Sequence, residues 1–197
     1  MKKLFITTLF FLAIGLEMKA QAVFMPGYII DKKGDTLNGE IKVNHKKEID
    51  LYKKIFFRKD EKEAPKQYAP TAIQGFKVED KFFEPVKIAG QFKFMKVICH
   101  GSIMFFEYEG AATEESEEGE SRYFMVKDNS EVIVEVFFDM EMKKELKKMF
   151  HDDPESMSEL EHTKKVNLDN VTHLFNEYNI RNPEKKPTTN PNEPQKK

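Results

Sequence analysis

Five histidines, one cysteine and a run of glutamates are the residues of this chain whose chemistry reaches beyond packing. His151, His162 and His173 are spaced by eleven, which keeps one face of a continuous helix. Imidazoles so placed could hold zinc. Pro154 and the polar Lys164–Asn167 stretch interrupt any such helix, His45 and His100 lie far off in sequence, and no HExxH or paired-cysteine pattern accompanies them. Glu114, Glu115, Glu117, Glu118 and Glu120 offer oxygens suited to a hard cation, but their spacing follows no calcium-loop template. They are expected to be a solvated loop. His151-Asp152-Asp153 resembles a base beside its orienting acid, yet Asp153 precedes Pro154-Glu155 and reads better as a helix N-cap. Glu84 and Glu107 fall in different strands and could meet as the carboxylate pair of a glycosidase. The pattern assigns them no such role. Cys99 sits in an apolar strand and His100 would point to the other face, so a buried, inert thiol is expected. No nucleophile elbow, P-loop or dinucleotide fingerprint occurs. No catalytic, cofactor-binding or metal-ligating residue is therefore nominated, and no cofactor.

The elements that would position these residues follow from hydrophobic period. Phe92–Gly110 is the most apolar stretch outside the N-terminus and reads as two antiparallel strands turning at His100-Gly101-Ser102. Before it, Tyr28–Ile30 and Leu37–Val43 form a hairpin across Lys33-Gly34-Asp35, with Gly39 a candidate bulge. Asn44–Asp50 reads as a charged loop, Lys54–Arg58 as a strand and Lys59–Pro70 as a polar connection. Thr71–Glu79 and Lys81–Lys87 pair around Glu79-Asp80, and Gly90 breaks the chain. Tyr123–Lys127 and Glu131–Phe138 make a last hairpin, with Val132, Val134 and Val136 on one face.

Then the period changes from 2 to 3.6. Asp139 is a candidate cap for a helix that aligns Met142, Leu146, Met149 and Phe150. Pro154 opens a second helix with Met157 and Leu160 inward. Asn167 caps a third, in which Val171, Leu174, Phe175 and Tyr178 share a stripe. The fold class expected is α+β: a mainly antiparallel sheet of about eight to ten strands, followed by two or three short helices packed on it.

At 197 residues the chain suits one domain with tails. Its 18 phenylalanines argue for a packed interior, because disordered chains are poor in aromatics. Lys2 and Lys3, the uncharged run Leu4–Leu16, and Met18-Lys19-Ala20-Gln21-Ala22 have the layout of a secretory signal, cleaved after residue 20 or 22. The expected organisation is a leader over 1–20, a β-rich domain over 23–180 and a disordered proline-rich tail over 181–197. Cleavage removes three lysines and one glutamate, leaving a chain more acidic than the −2 of the whole, which argues against nucleic acid. No transmembrane helix is expected after processing.

Gly34-Asp35-Thr36 in the first hairpin, the Tyr68, Pro70, Ile73, Gly75, Phe76 segment and the closing Tyr178-Asn179 carry a resemblance. The chain resembles a family of uncharacterised exported proteins of Bacteroidota type. The resemblance implies an envelope location and a β-rich domain, and it brings no catalytic residues with it. Some members of that family continue into an outer-membrane β-barrel. Here the proline-rich tail follows instead, and no barrel is expected. The function expected is that of an exported, non-catalytic binding or scaffold module that meets an envelope protein or surface component. The alternatives are a periplasmic hydrolase whose residues converge only in the fold, and a carrier of an apolar ligand.

Overall fold

The structure is a computed structural model and describes residues 22–44, 48–110, 120–128, 130 and 133–183. The leader, His45, Val132, Glu114, Glu115, Glu117, Glu118 and the tail beyond 183 lie outside the described residues.

Among the described residues ten strands form one antiparallel sheet: β1 (Val23–Ile30), β2 (Thr36–Val43), β3 (Ile55–Arg58), β4 (Lys66–Tyr68), β5 (Gly75–Val78), β6 (Lys81–Ile88), β7 (Gln91–Cys99), β8 (Ile103–Glu109), β9 (Ser121–Lys127) and β10 (Val134–Val136). Their spatial order is β10-β9-β8-β7-β6-β5-β1-β2-β3-β4. Among the described residues three C-terminal helices follow and a fourth, shorter one precedes β3. These are α1 (Ile49–Lys53), α2 (Met140–Met149), α3 (Pro154–His162) and α4 (Leu168–Arg181). The fold is α+β and mainly β.

Turn chemistry sets the register. Gly34 takes φ 91°, and Asp31 Oδ1 accepts from the backbone N–H of Lys33 and Asp35, closing the β1–β2 hairpin. β1 and β2 then pair without interruption from Ile30↔Thr36 to Val23↔Val43. Gly39 is thus no bulge. A Cβ there would meet Arg58 O at 2.3 Å, so the glycine lets β3 come close. A register shift lies instead between Val97 and Cys99 of β7.

Three further expectations are corrected. Asn44–Asp50 is not wholly loop, because α1 begins at Ile49 and drops Leu51 and Tyr52 into the core. β5 starts at Gly75 rather than at residue 71. A turn from Ala69 to Ala72 contains Pro70, and Gln74 N–H then donates to Ile30 O to begin the pairing. The polar connection before Pro70 also contributes the short edge strand β4.

Three clusters bury the apolar side chains. Ile29, Ile41, Phe57, Phe76, Phe83 and Phe94 close around Leu51 and Tyr52 of α1. Phe105, Met125 and Val136 meet Leu146, Phe150, Leu160 and Phe175 of the C-terminal helices. Met95, Met104, Phe106, Phe124 and Val126 form the third. The phenylalanines fill space by ring contact: Phe76 stacks on Phe83 at 4.6 Å and meets Phe94 edge-on at 4.9 Å. The helical stripes are as spaced in the sequence, with Met142, Leu146, Phe150, Val171, Leu174, Phe175 and Tyr178 all buried. Among the described residues no helix is long and apolar enough to cross a membrane, which says nothing of strands.

Candidate cleft between the two helical covers

One row of side chains crosses the sheet from β2 to β10. Cα partners run Leu37, Ile29, Phe76, Phe83, Lys96, Glu107, Tyr123 and Val136. Partners across antiparallel strands share a face, so these eight side chains stand on the same side. The row is apolar or aromatic at both ends and charged in the middle, where Lys96 and Glu107 form an ion pair. α1 covers the first end, packing Tyr52 against Phe83 at 5.5 Å. α4 covers the other, packing Phe175 on Phe105 at 5.1 Å. Between the covers lies an open cleft of about 580 Å³, floored by Lys96, Val97 and Glu107.

Each wall is fixed by its own contacts. On one side, Lys81 Nζ reaches both carboxylate oxygens of Glu48 at 2.8 and 2.7 Å, tying the start of β6 to the residue before α1. On the other, Leu168, Asp169, Thr172, His173 and Asn176 line the cleft from one face of α4. The opposite face of that helix is buried by Val171, Leu174, Phe175 and Tyr178, so the 3.6 period itself turns the polar set outward. Asn167 caps α4 by accepting from Asn170 N–H, as expected. His173 Nε2 lies 2.9 Å from Glu159 Oε1, holding α4 to α3.

Asp80, Glu107 and Asp169 line the cleft with Lys81 and Lys96, and Glu48 and Glu109 add further acids near Tyr52. Burial, then the neighbouring charges of Glu48 and Glu107, raise the carboxyl of Glu109 above its ordinary value. Burial, followed by the same two acids, pushes the Tyr52 phenol far up, so it stays protonated. Glu107 is already engaged by Lys96 and by Ser121 Oγ, which donates to it at 2.8 Å.

The residues singled out from sequence are mostly dispersed. Glu107 shares its face with Phe83, so the adjacent Glu84 stands on the opposite face, and the two carboxylates do not meet. Glu84 lies 3.8 Å from His100 instead. His151 Nδ1 faces Lys148 O, Asp152 holds Lys127 and Tyr178, and Asp153 holds Ser156 and Arg181. Asp153 occupies the N-cap position of α3, but its side chain makes no cap hydrogen bond; its Oδ2 accepts from Ser156 and Arg181 instead. Asp139 does cap α2, accepting from Glu141 and Met142 N–H. His162 Nδ1 faces Ser158 O. Among the described residues no group of three or more histidine, cysteine or acidic side chains is placed to hold a metal. Cys99 is buried and its thiol is pushed up to about 12 by that burial. It donates to Thr172 O at 3.7 Å.

The residues that carried the family resemblance are structural. Ile73 and Phe76 are core, a Cβ on Gly75 would meet Phe83 O at 2.9 Å, and Tyr178 is buried. Sequence reasoning passed over Lys96, Thr172 and Asn176. The available signal was Lys96 itself, a charge where the alternation of Phe92 and Phe94 calls for an apolar side chain on the same face of β7. Compared with known proteins, the chain matches no family model, no curated protein and no solved structure.

Proposed function

We propose that this is an exported protein of the bacterial envelope that binds a protein or surface component in the cleft between α1 and α4 without transforming it. The leader-like N-terminus and the resemblance supply the location. One observation supports the binding role: a charged pair occupies the centre of an apolar row, where the two helical covers leave the sheet open. Stability alone does not explain that choice, because a hydrophobic pair in place of a partly buried ion pair is often neutral or better. In this reading Lys96 and Glu107 orient the partner, and Asp80, Thr172 and Asn176 provide rim contacts. The hydrolase reading draws on the same convergence of polar groups. Binding is favoured over it because Glu107 is taken up by Lys96 and Ser121, and His173 by Glu159.

The test is affinity capture from envelope extract with tagged wild-type protein and with Asn176→Arg, which fills the cleft from an exposed position on α4. The outcome expected is a partner held by the wild type and lost by the variant at unchanged melting temperature. An identical captured set from both proteins would overturn the cleft. Unprocessed protein remaining in the cytoplasm would overturn the location.

A further inference from the structure

We infer a second site, for a small phosphate monoester, where β1 begins, β2 ends and α1 passes into β3. A cavity of about 260 Å³ opens there, and its wall includes Lys42, Lys54, Phe56, Leu51 and Asp50. The two lysines arrive from different elements, Lys42 from β2 and Lys54 from the residue that ends α1. Both ammonium groups approach one ring, 5.9 and 5.5 Å from the centroid of Phe56. The ring attracts each cation but does not neutralise either. Among the described residues neither lysine has an ion-pair partner. Arg58, two residues beyond Phe56 in β3, is the contrast: it stacks 3.9 Å from the centroid of Phe24 and is held by Glu40 at 2.6 Å.

Two ammonium groups that have no ion-pair partner among the described residues stand beside one cavity and are matched by one anion between them. Lysine acts as a point charge suited to phosphate, whereas planar carboxylates favour arginine. The carbon part of the ester would lie against Phe56 and the buried Leu51. Asp50 makes no ion pair among the described residues and can accept from a hydroxyl of the ester. The volume is below the usual range for drug-sized ligands, so the body must be short. A free sugar or polyol phosphate and the headgroup of a phospholipid present the same chemistry.

Titration of the full chain with glycerol phosphate at low salt tests the site, with a parallel arm using vesicles bearing anionic phosphate headgroups. Lys42→Gln and Lys54→Gln are each expected to weaken binding about tenfold, the loss of one charge-assisted contact. Lys87→Gln, an exposed lysine on β6 outside the cavity wall, is the control and is expected to bind as the wild type does. All three lysines are exposed, so melting temperatures should not move. Lysine-dependent binding of the free ester identifies a soluble ligand, and lysine-dependent binding of vesicles alone identifies a headgroup. Absence of binding to either probe, or binding that both substitutions leave unchanged, would overturn the site.

Discussion

Asn179 holds Ile103 as a neighbouring strand would. Its Nδ2 donates to Ile103 O at 2.8 Å and its Oδ1 accepts from Ile103 N–H at 2.8 Å. The first residue of β8 thereby has both backbone groups satisfied from α4, at the point where β7 has ended. The amide also lies against Gly101, where a Cβ would meet Asn179 Cγ at 2.6 Å. Asn179→Leu strands a buried donor and acceptor and should cost about 2–4 kcal/mol. Gly101→Ala should displace the amide and cost a similar amount. Chemical denaturation of both single variants and the double variant checks this. A double variant much less destabilised than the sum of the singles is the outcome expected of residues acting through one contact.

The ion pair at the centre of the cleft makes a separable prediction. Lys96→Met leaves Glu107 partly buried beside an apolar neighbour and should destabilise by about 2 kcal/mol. Lys96→Met with Glu107→Leu continues the apolar row and should recover most of that loss or exceed it. Thermal melts of the two variants give the comparison. A double variant that is stable yet captures no envelope partner would separate the pair's role in recognition from any role in folding.

Acid should loosen the packing of α3 on α4. Burial of Asp153 opposes its charged form, but the hydrogen bonds from Ser156 and Arg181 outweigh that and lower its carboxyl below the ordinary value. A carboxyl depressed in the fold adds stability at pH values above its unfolded pKa, near 4. That stability is lost as the pH falls through the folded value. Melting temperature should therefore drop below about pH 4 in the wild type. Asp153→Asn should be less stable at pH 7 and show a shallower acid slope.

Cys99 should be silent towards thiol reagents in the native protein. Burial raises its thiol to about 12, and only denaturant should expose it. Alkylation followed by mass spectrometry, with and without denaturant, checks this. Rapid labelling of the folded chain would show the strand opening on its own.

Much of this architecture was legible because the chain states its periods plainly. Val171, Leu174, Phe175 and Tyr178 repeat at helical spacing, and all four are buried. Gly34 and Gly90 take positive φ at the turns their sequence context marked. α1 was not legible. It is five residues long, its first-turn cap Glu48 makes no side-chain cap bond, and only Leu51 and Tyr52 are buried, too few to declare a period. Tertiary burial of those two side chains holds it. The cleft was hidden for another reason. Lys96, Glu107 and Asn176 come from three elements, and only the register of β6, β7 and β8 sets Glu107 apart from Glu84.

β7 places Phe94 in the cluster around α1, Met95 in the third cluster and Cys99 beneath the C-terminal helices. Loss of either end of the sheet would strip this strand of part of its packing, which couples the two ends. Calorimetric and van't Hoff enthalpies of unfolding should accordingly coincide, the mark of a single all-or-none transition.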